Sequence, residues 1–133
     1  MILYSGLIKL EYDPATDILE TTMPDASHFT LPEVRLCLNI IISHIRNYHI
    51  SKAIFDSRHT HLDMGENEDE YKAIAAQFGK DLLETHIHKI ARLALTDKNR
   101  EEQGEKLQQV TNQAIDIRTF SDYDEAMEWL AKD

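Results

Sequence analysis

A chain of 133 residues is long enough to bury one ordinary core, roughly two thirds of the surface that its unfolded form exposes. Its 24 acidic residues against 14 basic ones leave a formal net charge of -10, and that field repels phosphate backbones and anionic lipid heads, so nucleic acid and membrane surfaces are poor partners. The single cysteine, Cys37, excludes an internal disulfide and any thiolate-rich zinc site.

Cys37 is expected to serve as a small buried hydrophobe in a reducing compartment. The opening run Met1-Ile2-Leu3-Tyr4-Ser5-Gly6-Leu7-Ile8-Lys9 has no basic leader ahead of an apolar block and no small-residue cleavage site. No stretch approaches ~18 uncharged apolar residues. The expectation is a cytoplasmic protein that neither enters nor crosses a membrane.

The first strand is predicted to run to about Tyr12, because Ile8, Leu10 and Tyr12 alternate with Lys9 and Glu11, the period of a strand with one drier face. Asp13-Pro14-Ala15-Thr16-Asp17 is turn chemistry, with proline presetting its backbone angle and aspartates bonding nearby amides. A second strand, residues 18–23, should therefore pair back antiparallel. Thr30 and Glu33 have capping-box spacing, Pro32 suits a first helical turn, and Val34, Leu38, Ile41, Ile45 and Tyr48 follow the rhythm of a buried stripe. Leu36, Cys37, Ile40 and Ile42 widen that stripe beyond what one contact face needs. This main helix should pack against two neighbours or against a second subunit.

Ala53-Ile54-Phe55 ending at Asp56, and the apolar run over residues 90–95, are each preceded by a helical segment, the pattern of parallel strands with crossovers. Between them Tyr71, Ile74, Ala75, Phe78 and Leu82 keep helical spacing, with Glu68, Asp69 and Glu70 in the first turn and Gly79 as a candidate kink. Residues 98–106 are polar apart from Gly104, so only Leu107, Val110 and Ala114 offer a weak stripe for a third helix. Ile115 and Ile117 alternate with Asp116 and Arg118 in a last strand. Ser121 and Asp124 can then cap a helix that turns Ala126, Trp129 and Leu130 inward. The predicted order is β-β-α-β-α-β-α-β-α, with residues 1–133 as one α/β domain and no linker or repeat.

That order, with Ala53-Ile54-Phe55-Asp56 closing the third predicted strand and Phe120-Ser121-Asp122-Tyr123-Asp124-Glu125-Ala126-Met127-Glu128-Trp129-Leu130 closing the chain, resembles the SpoIIAA-like proteins of the STAS and SEC14-like group. The resemblance spans nearly the whole length. It implies a mixed sheet, with an N-terminal antiparallel hairpin followed by parallel strands and helices mainly on one side. It also implies a non-enzymatic bacterial module with protein partners or hydrophobic ligands at its surface. In the anti-sigma-factor antagonists that typify the group, a serine in an Asp-Ser-Ser-Gly turn is phosphorylated. The corresponding turn here is Leu62-Asp63-Met64-Gly65, where Met64 has no hydroxyl and the acids that follow would repel a phosphate. The phospho-switch is not expected to carry over.

His59-Thr60-His61, with Asp56, Ser57, Asp63, Met64, Gly65 and Glu66 around it, gathers imidazoles and carboxylates where α/β sheets bind ligands, beyond the carboxyl ends of strands. It is the candidate ligand or partner surface, with His59 and His61 as weak metal candidates. The competing reading is a solvated loop ahead of a helix start, whose carboxylates the macrodipole already explains. His86-Ile87-His88 should lie at the opposite end of the sheet. His44, beside Cys37 and Ile41, fits a hydrogen-bonded flanking histidine better than a nucleophilic pair.

Ser57 lacks the Gly-x-Ser-x-Gly elbow of an exposed nucleophile, and four glycines in the chain leave no phosphate-cradling loop. A receiver domain phosphorylated on Asp56 would need further acids after the first strand, which instead opens a hairpin. Leu36 and Ile40 form either a patch for a twin or partner, making a homodimer possible, or a surface covered by the terminal helix.

No cofactor and no catalytic residue is expected. The reading is a STAS-like binding or regulatory module that presents residues 56–66 to a protein or small ligand. Alternatives are a SEC14-like carrier of a small hydrophobic ligand and a metal-dependent hydrolase built on His59 and His61.

Overall fold

A computed structural model describes residues 1–25, 29–60, 67–94 and 114–132. Along the chain these form β1 (Ile2–Ser5), β2 (Lys9–Asp13), β3 (Ile18–Thr22), α1 (Leu31–Asn47), β4 (Lys52–Asp56), α2 (Glu68–Leu83), β5 (Lys89–Leu93), β6 (Asp116–Phe120) and α3 (Tyr123–Ala131). The six strands make one sheet in chain order, β1-β2-β3-β4-β5-β6. The first two pairings are antiparallel and the remaining three parallel.

The mixed sheet follows the expected order, with one strand more at its start. Ile2-Leu3-Tyr4 shows no alternation, and β1 exists because β2 offers it an open edge. Tyr12 donates its amide to the Met1 carbonyl at 2.8 Å, and the Met1 ammonium donates to the Tyr12 carbonyl at 3.1 Å. The chain reverses at Gly6, where a Cβ would come within 2.7 Å of the Tyr4 hydroxyl.

Turn chemistry closes the next reversal as its residues predict. Ala15 donates its amide to Asp13 Oδ1 at 3.0 Å, and Asp17 donates to the Asp13 carbonyl at 2.9 Å. Asp17 sits at φ 58, a left-handed conformation that aspartate tolerates better than most residues. Its carboxylate accepts from the Tyr12 hydroxyl at 2.6 Å and from the Ser51 hydroxyl, tying the hairpin to the start of β4.

The capping box of α1 is complete: Thr30 Oγ1 accepts from the Glu33 amide at 3.4 Å, and Glu33 Oε1 accepts from the Thr30 amide at 3.0 Å. At its other end, Ile50 donates to the Ile45 carbonyl at 3.0 Å and His49 to the Arg46 carbonyl at 3.4 Å. This is a Schellman closure with His49 in the left-handed position, φ 52, that glycine usually fills. Helix α2 runs unbroken through the buried Gly79.

Both faces of the sheet are covered. Helices α1 and α2 lie side by side on one, where Leu10, Leu19, Ile41, Ile45, Ala53, Phe78, Leu82 and Ile90 form the larger core. Helix α3 lies on the other, where Ala126 and Leu130 meet Ile18, Ile54, Ala91 and Leu93. Each fully buried Leu or Ile there contributes roughly 1.5–3 kcal/mol. Trp129 is held between Lys89 Nζ, 4.4 Å from its ring centre, and the Arg118 guanidinium at 5.1 Å. Lys89 also donates to the Trp129 and Lys132 carbonyls at 2.5 and 2.6 Å, placing a cation on the carboxyl end of α3.

Two expectations change. The terminal helix does not cover α1, because it occupies the opposite face of the sheet. It also begins after Asp122 rather than under a Ser121 cap, and Asp122 makes no side-chain cap bond. The predicted third helix at Leu107 and Val110 and the polar run 98–106 lie outside the described residues. Ala114 is described and leads directly into buried Ile115. Among the described residues, no helix is long and apolar enough to cross a membrane.

Candidate functional site

The parallel strands β3, β4, β5 and β6 end together, and their ends are stitched one residue further on. Met23 donates its amide to the Asp56 carbonyl, Ser57 to the Leu93 carbonyl and Ala94 to the Phe120 carbonyl, at 2.9, 2.9 and 3.0 Å. These bonds extend the ladder into a rim from which residues 57–60 turn away. Thr60 donates its amide to the Ser57 carbonyl at 3.2 Å and its hydroxyl to the Met23 carbonyl at 3.3 Å.

Asp56 shares the α3 face with Ile54, two residues earlier, and its carboxylate is clasped by Arg58. The arginine donates Nε to Oδ1 and Nη2 to Oδ2, both at 3.0 Å, and its backbone amide to Oδ1 at 3.2 Å. Partial burial pushes the Asp56 carboxyl upward, but the hydrogen bonds and charge of Arg58 outweigh it and hold the group below its ordinary value. The same pairing holds Arg58 above its own ordinary value, against partial burial, and Asp122 and Tyr123 at the start of α3 reinforce it. A fork-to-carboxylate pair of this kind fixes geometry as well as charge.

Ser57 donates its hydroxyl to the Leu93 carbonyl at 3.3 Å, so its orientation is that of a structural tie. His59 stands exposed at the turn. The structure therefore brings Asp56, Ser57 and His59 onto one rim, with Arg58 as the residue that organises it. His61, Asp63, Met64, Gly65 and Glu66 lie outside the described residues. Among the described residues, no three His, Cys, Asp or Glu side chains gather to hold a metal.

On the α1/α2 face, the row nearest the rim is Thr21, Phe55, Arg92 and Thr119, each the register partner of the next. Arg92 is only 9% exposed and donates Nη1 to Thr119 Oγ1 at 3.2 Å. The Thr21 hydroxyl is fully buried without a hydrogen-bond partner among the described residues. Sequence reasoning passed over this row. Its signal was one arginine inside Ile90-Ala91-Arg92-Leu93-Ala94, since a charge in a buried strand needs compensation.

The remaining candidates separate. His86 and His88 precede β5 at the opposite end of the sheet from His59, as expected. His44 Nδ1 lies 2.8 Å from the Ile40 carbonyl, and burial pushes the Cys37 thiol up, aided by Glu33, which suits a packed residue rather than a nucleophile. Leu36 is 48% exposed, whereas Ile40 is half-buried against the larger core. A groove between α1 and α2, lined by Leu38, Ile74 and Phe78 among others, holds about 80 Å³.

The architecture is a SpoIIAA-like fold. A solved structure of an uncharacterised protein of the DUF3478 family, with a SpoIIAA-like fold, from Shewanella loihica PV-4, is similar to this chain with a TM-score of 0.55. The match covers 96% of this chain and 98% of that one at 15% sequence identity, a level of likeness that speaks for the fold alone. No family model matches the sequence, and no curated protein matches it.

Proposed function

We propose that residues 1–133 form a single-domain, non-enzymatic STAS-like binding or regulatory module of the cytoplasm. It presents the rim from Asp56 to Glu66 and the first turn of α2 to a protein partner. The supporting observation is how the rim's polar groups are used. The Asp56 carboxylate is engaged by Arg58 and the Ser57 hydroxyl by the Leu93 carbonyl. These groups shape a turn that displays His59, and none of them forms a nucleophile with its base. With Met64 at the family's phosphoacceptor position, control would come from the partner's differential affinity for one arrangement of the turn.

A carrier of a small hydrophobic ligand needs a cavity of roughly 300–1,000 Å³, and the groove between α1 and α2 among the described residues is smaller than that. The test is affinity capture from the native cell, followed by titration of the identified partner. Replacing His59 and His61 together by alanine should weaken that binding at least tenfold with an unchanged melting temperature. Equal affinity of the folded variant and the parent would overturn the assignment of the rim.

A further inference from the structure

At the end of the sheet opposite the rim, two histidines meet. His49 closes α1 and His86 follows α2, and their rings stand 5.0 Å apart, centre to centre, at an interplanar angle of 53°. Both residues are exposed, so the rings turn without disturbing the core, while their backbones are fixed. His49 lies within the Schellman closure, next to Ile50, which is fully buried. His86 lies between Thr85, whose hydroxyl donates to the Leu82 carbonyl at 2.7 Å, and buried Ile87, whose amide donates to Thr85 Oγ1 at 3.2 Å.

We propose that His49 and His86 together bind one divalent transition-metal ion of the zinc, nickel and copper class. The separation is what shared ligation requires. A metal–nitrogen bond of about 2.0–2.1 Å plus about 1.1 Å from nitrogen to ring centre puts each centre about 3.2 Å from the ion, hence about 4.5–5.2 Å from its twin at cis or tetrahedral angles. Imidazole is the preferred neutral ligand for these ions.

The surroundings favour a cation. The carboxyl ends of α1 and α2 converge here, each carrying the negative end of its dipole, and Glu84 lies two residues before His86. The nearby Arg46 guanidinium is directed at Glu84, 3.9 Å away, which offsets its repulsion. His49 also keeps a side chain at a left-handed position where glycine is easier to accommodate. Such an outlier points towards use of that side chain. Water completes the coordination, so the site is weaker than a four-ligand structural zinc centre. It acts as a clip between the ends of two helices.

The experiment titrates Ni²⁺ and Zn²⁺ separately into the full chain, following heat by calorimetry and the melting temperature by circular dichroism. The parent should bind one ion and melt higher with metal. His49→Gln and His86→Gln should each melt normally without metal and lose at least tenfold in affinity. Replacing His59 and His61 by alanine should leave this binding intact. Retention of the metal-induced shift in either glutamine variant, its loss only in the His59/His61 variant, or no shift in the parent would each overturn the proposal.

Discussion

Tyr123, in the first turn of the terminal helix, donates its hydroxyl to the carboxylate of Glu20 in the middle of β3, 103 residues earlier in the chain. Burial, and then this bond to Glu20, push the Tyr123 phenol up to about 12 from an ordinary 10.0. Tyr123→Phe leaves a half-buried carboxylate short of a donor, and urea denaturation should show a loss of about 1–2 kcal/mol. Because the native phenol holds its proton longer than the unfolded one, the bond's contribution is complete below pH 10. It is lost as the pH rises through about 12. The slope of stability against pH in that window should be shallower in the variant.

The Asp56–Arg58 clasp titrates in the opposite sense. The native carboxyl lies below its ordinary 3.8, so its stabilisation is present above that value and fades as the pH falls through the depressed native one. Carboxyl-carbon NMR should place the Asp56 midpoint below 3.8. In Arg58→Met the side-chain bonds and charge are lost while the residue-58 amide and His59 still oppose burial, so the midpoint should rise from its native position towards the ordinary value.

His49 and Asp17 both occupy left-handed backbone, yet glycine should act differently at each. His49→Gly relieves the strain while the main-chain closure persists, and thermal melts should report a gain of about 0.5–1 kcal/mol. Asp17→Gly also relieves strain but strips the partner from Tyr12 and Ser51. It should lose about 1–2 kcal/mol by the same measurement.

Trp129 and Lys89 together anchor α3. Trp129→Ala removes the ring that packs against Phe120 at 5.6 Å and should destabilise by about 3 kcal/mol in urea. Lys89→Met keeps most of the stem's packing but loses the cation at the helix end, for about 1–2 kcal/mol. A double-mutant cycle should show that the two effects do not add.

What the sequence made legible was what neighbouring residues decide. The Asp13-to-Asp17 turn, the Thr30/Glu33 box, the apolar stripes of α1 and α2 apart from the exposed Tyr48 and Ala75, and the position of Asp56 at a strand end all rest on contacts within a few residues, and these are present. β1 escaped because its evidence is a partner strand: Ile2-Leu3-Tyr4 is too short to show a period. The strand-end position of Asp56 was legible, but the bonding around it was not. Ser57 offers the residue types of an acyl-transfer site, and only Leu93, 36 residues later, reveals its hydroxyl as a tie. The broad stripe of α1 could not say which face of the sheet the terminal helix would take. His49 and His86 carry no shared signal at all, since 36 residues lie between them and only the convergence of two helix ends joins them.

A sheet laid down in chain order has a consequence for biosynthesis. Each strand finds its neighbour already outside the ribosome, so the ladder can grow vectorially without awaiting a distant segment. The lining of the second face comes last. Until Ala126 and Leu130 emerge, Ile18, Ile54 and Leu93 lack the helix that packs on them among the described residues, and a nascent chain stalled before that point would present an apolar stripe to whatever chaperone waits at the tunnel exit.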